Sequence, residues 1–132
     1  MKRNIIYKNK PELSQELIYL GFINKDDLKK VYSNALAFLF FSKYEGFGLP
    51  VMEAMSCKCI SIINNKFSLP EVGLKETVFS IETQKNHIVT LIEKIYKNSD
   101  YREDLKNKSY KKSLKFDWRF TAKKTLNLLS NV

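Results

Sequence analysis

The feature that most constrains this chain is an apolar run that stops at a glycine-containing turn and is followed at once by a helix start. The run is 36–41, the turn is 42–48, and Pro50 stands where the helix would begin. An apolar run of this kind is typical of a strand that is covered on both faces of a parallel sheet. Proline suits the first position of a helix, because the N–H group that it lacks would have no partner there. The order therefore predicts a buried strand, a tight turn and a helix.

Helical and extended patterns alternate along the rest of the chain. Asn24 and Asp27 form an approximate capping box for a first helix, and Asp100 and Asp117 are the predicted N-caps of the last two helices. The apolar residues Ile88, Leu91, Ile92 and Ile95 predict one more helix by their spacing. The predicted strands are 16–23, 36–41, 59–63 and 78–81. Strands that alternate with helices predict an α/β fold with a parallel sheet.

Length and composition indicate one globular domain. The chain has 132 residues, of which 44% are apolar, so it can bury a substantial core. No apolar run approaches the roughly 20 residues of a membrane span. Residues 1–7 include basic side chains but lack the apolar segment of a secretory signal. We therefore expect a cytoplasmic protein with a loose segment at 1–15 and a domain at 16–132.

The cysteines predict neither a disulfide nor a metal centre. Cys57 and Cys59 are separated by one residue, and we expect both to be buried and reduced. A zinc site needs about four ligands, and His87 is the single histidine of the chain. We therefore expect no metal.

The positive charge is concentrated in the second half of the sequence. The net charge is +9, and the segment 94–124 holds 11 Lys or Arg against 4 Asp or Glu, which is +7. A solvated helical surface and contact with an anionic membrane surface, at the inner face of the cell membrane, both remain open. We expect no nucleic-acid partner, because no nucleic-acid-binding motif accompanies the charge.

The turn carries the chemistry that points to a function. Glu45 and Glu53 bracket Gly46 and Gly48, and the glycines allow a positive φ and a close approach of the backbone to a ligand. N–H groups at a helix start favour a phosphate, while carboxylates accept hydrogen bonds from hydroxyls. The combination suggests a nucleotide sugar. An ordinary strand-to-helix turn is the simpler alternative, and a glycoside hydrolase that uses both glutamates is a weaker one.

Residues 20–72 resemble the nucleotide-sugar-binding domain of a large enzyme family. The resemblance rests on Glu45-Gly46-Phe47-Gly48-Leu49-Pro50-Val51-Met52-Glu53, together with Tyr19-Leu20-Gly21-Phe22-Ile23 and Ser68-Leu69-Pro70-Glu71-Val72. Phe116-Asp117-Trp118 also resembles the start of the final helix of that family. The family is that of the retaining GT-B glycosyltransferases (glycosyl transferases group 1), which includes sucrose synthase and bacterial mannosyltransferases. The implied fold is a Rossmann-like parallel sheet with flanking helices. It would correspond to an incomplete C-terminal domain of a GT-B fold.

The resemblance implies a role for each residue of the turn. Glu45 would bind the hydroxyls of the donor sugar beside the reacting centre, and Glu53 would bind the ribose. Ile23 would contact the base through its backbone. The sugar and diphosphate would be held by the backbone of Gly46, Phe47, Gly48 and Leu49. The implied reaction transfers a sugar from a UDP- or GDP-sugar to a glycan or lipid-linked glycan acceptor, without a cofactor, in bacterial surface glycan assembly.

The chain also departs from the family pattern. Lys58 and Ile60 replace a Gly and a Pro, and Leu74-Lys75 replace a Gly-Asp-like turn. The acceptor-binding domain and the first two strand-helix units of the donor domain have no counterpart in the sequence. We therefore expect the strand at 17–23 to pair with 36–41, unless a partner fills the gap.

Two hypotheses on function follow. In the first, the chain is the donor-binding part of a glycosyltransferase, and another chain supplies the missing N-terminal half. In the second, it is a truncated non-catalytic remnant or a nucleotide-sugar-binding module that needs a partner chain.

Overall fold

A computed structural model of the protein describes residues 16–79 and 85–131. The predicted loose segment at 1–15 lies outside the described residues. Helices and strands alternate along the described part of the chain. In chain order they are α1 (Lys25–Asn34), β1 (Phe38–Phe40), α2 (Leu49–Ser56), β2 (Ser61–Asn64), α3 (Leu69–Val72), a 3-10 turn (Lys75–Thr77), β3 (Val78–Phe79), α4 (Lys85–Lys97), α5 (Ser99–Ser113) and α6 (Trp118–Leu129).

The strands form one parallel sheet in the order β1-β2-β3. Phe38 pairs with Ser61 and Phe40 with Ile63, while Ile63 pairs in turn with Val78 on the other side. Each parallel pair is joined by a crossover that contains a helix, as parallel pairing requires. The predicted α/β class, a Rossmann-like parallel sheet with flanking helices, is confirmed.

The core lies on both faces of β2, whose residues are all buried. Ile63 packs with a cluster from α2 and α3 that comprises Val51, Met55, Leu69 and Val72. Ile62 packs with a cluster from α4 and α5 that comprises Leu91, Ile95 and Leu105. Neighbouring residues of a strand point to opposite faces, so the apolar pair at 62–63 joins the two clusters into one domain.

The expectation that the run at 36–41 is a strand covered on both faces is wrong. Only Phe38–Phe40 is a strand, and Leu39 within it is 49% exposed. Among the described residues, β1 has a hydrogen-bonded neighbour on one edge only, whereas β2 has one on each edge. The central and fully covered strand is therefore β2.

The predicted strand at 16–23 is absent, and so is its pairing with β1. These residues are irregular, Gly21 has φ +69°, and the side chain of Phe22 is fully exposed. A strand is stable only when its backbone pairs with a neighbour, and the sheet of the described residues does not include this segment. The apolar pattern at 16–23 therefore did not indicate a strand of this sheet.

Helix starts are predicted better than strand ends. Asn24 accepts a hydrogen bond from the Asp27 N–H and caps α1, and Asp117 caps α6 by accepting one from the Arg119 N–H. The cap of α5 is Asn98 rather than Asp100, because the Asn98 side chain reaches the Tyr101 N–H. The predicted strand at 78–81 is seen as Val78–Phe79, and residue 81 lies outside the described part.

Helix α6 adds no buried side chain to the domain. Its predicted apolar face of Trp118, Ala122, Thr125 and Leu129 is exposed. No helix in the described part is long and apolar enough to cross a membrane.

Both cysteines are free thiols. Cys59 is buried as expected, whereas Cys57 is half-buried. Burial, followed by the charge of Cys57, raises the pKa of Cys59 to about 11, so its thiol is neutral near pH 7. Within residues 16–79 and 85–131, no three His, Cys, Asp or Glu side chains form a group that could hold a metal ion.

Candidate functional site

The candidate site is the turn that joins β1 to α2. It leaves the sheet at the carboxyl end of β1, which is the end where ligands bind in open α/β sheets. Glu45 is half-buried in this turn, and the Ser42 hydroxyl donates a hydrogen bond of 3.0 Å to the Tyr44 carbonyl. The turn is therefore an ordered loop that presents Glu45 at the edge of the sheet.

The two glycines of the turn differ. Gly48 has φ +90° and occupies the N-cap position of α2. A Cβ atom at Gly48 would lie 2.6 Å from Cδ2 of Leu69, whereas a Cβ atom at Gly46 would have open space around it. The expected positive φ is therefore found at Gly48 and not at Gly46. The left-handed glycine brings the chain close to α3 as α2 begins.

Three backbone N–H groups have no described acceptor at this helix start. The Val51 N–H donates to the Gly48 carbonyl at 2.9 Å, which begins the hydrogen bonding of α2. The N–H groups of Phe47, Gly48 and Leu49 donate to no described residue. Because Pro50 has no N–H group, these three donors and the positive end of the helix dipole are the groups of the turn that are suited to attract an anion.

The loop after β2 holds this turn in place. Asn64, at the buried end of β2, donates through Nδ2 to the Ser42 carbonyl at 2.7 Å. The Ser68 hydroxyl donates to the Glu45 carbonyl at 3.1 Å. The contact of Asn64 with this turn was not predicted, although a polar residue at the end of a mostly apolar strand was a signal for it. The two bonds fix the backbone on either side of Tyr44.

Glu53 lies farther along α2 and is exposed. Burial first, and the charge of Glu53 second, raise the pKa of Tyr32 in α1. Tyr32 also packs with Ala54, the neighbour of Glu53, so this part of α2 lies against α1. Ile23 is half-buried just before α1, but no hydrogen bond among the described residues joins it to the turn. The structure thus brings the part of α2 that carries Glu53 against α1, and it shows no hydrogen bond between Ile23 and Glu45.

An apolar cavity of about 560 Å³ opens beside the turn, between the start of α2 and the start of α6. Phe47 packs edge to face on Phe116, with ring centroids 5.6 Å apart. Hydrogen bonds from Arg119 lower the pKa of Asp117, so the N-cap of α6 is a carboxylate. The residues that line the cavity are Phe47, Leu49, Met52, Lys115, Phe116, Asp117, Trp118, Phe120 and Thr121. The sequence predicted the helix start at Asp117 but not its contact with the turn.

Comparison with known proteins gives a family model and several relatives. The model described as "Glycosyl transferases group 1" matches residues 5–112. The serotype-specific mannosyltransferase WbdA of Escherichia coli is 37% identical over 108 residues, which is 81% of this chain and 13% of WbdA. O-antigen chain mannosyltransferase B of Escherichia coli is 33% identical over 113 residues, 83% of this chain and 29% of that protein.

A more distant relative is a probable sucrose-phosphate synthase of Thermosipho melanesiensis, 31% identical over 120 residues, 84% of this chain and 27% of that protein. This chain thus spans less than a third of the length of these relatives. The family model, in contrast, covers the candidate turn, the parallel sheet and the helices from α1 to most of α5. The chain therefore belongs to the family of group 1 glycosyl transferases.

Proposed function

We propose that this chain is the donor-binding part of a glycosyltransferase that takes a sugar from a UDP- or GDP-sugar. The observation that carries the proposal is the Gly48-capped start of α2. It leaves the N–H groups of Phe47, Gly48 and Leu49 unpaired among the described residues, directly after the half-buried Glu45. A diphosphate needs such donors, and a sugar with hydroxyl groups needs the neighbouring carboxylate.

Each residue has a distinct role in the proposed site. The backbone of residues 46–49 binds the diphosphate and the sugar, and the dipole of α2 stabilises the negative charge that grows on the leaving diphosphate. Glu45 orients the sugar at the reacting centre by accepting hydrogen bonds from its hydroxyls. Glu53 accepts the ribose hydroxyls on the α1 side of the domain. Ile23 contacts the base through its backbone.

The proposed acceptor and the proposed stereochemistry of the reaction are inferred from the relatives and the family of the chain. The names of two relatives, a serotype-specific mannosyltransferase and an O-antigen chain mannosyltransferase, support a surface glycan or a lipid-linked glycan as acceptor and mannose as donor sugar. Retention of the anomeric configuration follows the resemblance to retaining GT-B enzymes, as does the assignment of this domain to the C-terminal half. We propose that turnover also requires an acceptor-binding half, supplied by further polypeptide.

A binding module that needs a partner chain is the second candidate. It is favoured by the edge of β1 that has no neighbour among the described residues and by the exposed apolar face of α6.

We place the protein in the cytoplasm, with peripheral contact to the inner face of the cell membrane. The surplus of +7 in residues 94–124 supports this placement, because anionic headgroups attract a basic surface. Such an attraction weakens as salt concentration rises.

Calorimetric titration with UDP-glucose and GDP-mannose tests the proposed donor site. We expect the chain to bind one of the two, and Glu53→Ala to weaken binding about tenfold, because one charge-assisted hydrogen-bonding partner of the ribose is removed. Glu93→Ala is the matched control, since Glu93 is also an exposed helical glutamate but lies on α4.

The outcomes separate the candidates. Binding of a nucleotide sugar without turnover, and turnover once an acceptor-binding half is added, supports the transferase. In that assembly Glu45→Ala should abolish transfer and leave nucleotide binding nearly intact. Unchanged transfer by Glu45→Ala would contradict the proposed role of Glu45. An absence of nucleotide-sugar binding, both by the chain alone and with an acceptor-binding half added, would rule out the donor site.

A further inference from the structure

Two exposed aromatic side chains stand beside the candidate site. Tyr44 directly precedes Glu45, and Phe67 lies in the loop between β2 and α3. Their ring centroids are 4.8 Å apart, with an angle of 67° between the ring planes. Tyr44 is 72% exposed and Phe67 is 60% exposed. The two rings therefore touch each other edge to face while most of their surface is open to a ligand.

The backbone of Phe67 is strained. Its φ is +53°, in the left-handed region, which residues with bulky side chains seldom adopt. Burial does not offset this strain, because the ring is largely exposed. Asn or Gly at this position would suit the loop better. Backbone strain of this kind is concentrated at functional sites. The presence of a phenylalanine at this strained position therefore suggests that its ring has a function.

The aromatic pair has a fixed position relative to Glu45. Ser68, the neighbour of Phe67, donates to the Glu45 carbonyl. Asn64 ties the same loop to Ser42. Hydrogen bonds on either side of both rings thus hold the pair at the carboxyl ends of β1 and β2, next to the proposed sugar position.

We propose that Tyr44 and Phe67 form a platform for a pyranose ring of the glycan acceptor. One face of a pyranose carries several C–H groups, whose weakly positive hydrogens are attracted to the negative face of an aromatic ring. The order of groups along the turn also fits an acceptor. Along the chain, the unpaired N–H groups at 47–49 suit the diphosphate, Glu45 suits the donor sugar, and Tyr44 directly precedes Glu45. The inference rests on the proposed donor role of this turn.

Saturation-transfer NMR of the chain with mannotriose and with maltotriose tests the platform. We expect one of the two trisaccharides to receive saturation at its C–H protons. Tyr44→Ala and Phe67→Gly should each weaken that binding about tenfold, as removal of an aromatic stacking partner does for other ring ligands. Tyr44→Phe should retain it, because the ring is kept.

Two further measurements separate a lost platform from a disturbed fold. Tyr96→Ala is the matched control, since Tyr96 is also 72% exposed but lies on α4. Phe67→Gly relieves the left-handed strain, so its melting temperature should equal or exceed that of the wild type. Weaker glycan binding in a variant of equal or greater stability would therefore come from the lost ring.

Failure of the platform and failure of the donor site give different results. If the chain binds a nucleotide sugar but neither trisaccharide, or if Tyr44→Ala and Phe67→Gly bind as the wild type does, the platform is overturned and the donor site stands. If the two variants weaken trisaccharide binding, and the chain binds no nucleotide sugar either alone or with an acceptor-binding half added, the platform stands and the donor site is overturned.

Discussion

At the residue scale, Gly46 and Gly48 are equivalent in the sequence and different in the structure. Gly48 combines a positive φ with a close approach to Leu69, whereas Gly46 has neither. The glycine pair could be identified from the sequence as a turn at a strand end. Which glycine carries the constraint could not, because it depends on the packing of α3 against the turn, a contact between residues about 20 positions apart.

This difference predicts that two alanine substitutions change the free energy of unfolding by different amounts. We expect Gly48→Ala to lower the free energy of unfolding by about 1–3 kcal/mol, because the new Cβ atom meets Leu69 in a backbone region that alanine avoids. Gly46→Ala should change it by less than about 0.5 kcal/mol. Denaturant unfolding of both variants measures the effect, and equal losses would contradict the assignment.

Cys59 predicts the pH dependence of stability on the alkaline side. Its pKa in the folded protein is about 11, above the ordinary value of 9.0, so the native state keeps a proton that the unfolded chain releases. The resulting stabilisation is fully present below pH 9 and is lost as the pH rises towards 11. Tyr32, whose pKa is also raised, adds to this loss in the same direction.

We therefore expect the free energy of unfolding to fall more steeply between pH 8.5 and 10.5 in the wild type than in Cys59→Ala. The substitution lowers stability at every pH by leaving a cavity, but it removes one titrating group, so the slope is the informative quantity. Denaturant unfolding at several pH values measures it. Parallel curves for the two proteins would show that Cys59 does not contribute.

At the element scale, the helices α5 and α6 show that the burial of a helix depends on the elements around it and not on its own sequence alone. Both follow a recognisable N-cap, and both contain leucines. Leu105 of α5 is fully buried against β2, whereas Leu126 of α6 is 63% exposed. Local capping signals fix where a helix starts, which is why Asn24 and Asp117 were predicted correctly. They contain no information on what the helix packs against.

The strands also show that the local sequence does not determine the position of an element in the fold. The apolar runs that became β1 and β2 look equally suited to a central position, yet only β2 is covered on both faces. The position of a strand in a sheet depends on pairing between distant segments. For the same reason the apolar pattern at 16–23 did not reveal that these residues would form no strand beside β1.

We expect two leucine substitutions to differ sharply. Leu105→Ala should cost about 2–5 kcal/mol, because it removes a buried side chain and leaves a cavity. Leu126→Ala should change the free energy of unfolding by no more than about 0.5 kcal/mol in the isolated chain. Thermal or denaturant unfolding measures both. A large loss in Leu126→Ala would mean that α6 packs on the domain.

At the scale of the whole molecule, the described residues form a three-stranded parallel sheet whose carboxyl edge presents the turn from Glu45 towards Glu53. The sequence predicted the class of fold and the position of this turn, because the glycine turn, the proline and the helix start are adjacent in the chain. It did not predict the neighbours of the turn. Asn64, Ser68 and Phe116 reach it only through the folded arrangement of β2, α3 and α6.

The most direct test of the donor site is the backbone amide NMR spectrum of the chain during titration with UDP and with GDP. We predict that one nucleotide shifts the amide signals of Phe47, Gly48 and Leu49 with a common saturation curve, because their N–H groups donate to the diphosphate. Signals from the exposed face of α4 should stay in place. The absence of a shift at residues 47–49 at saturating concentrations of both nucleotides would contradict the proposed donor site.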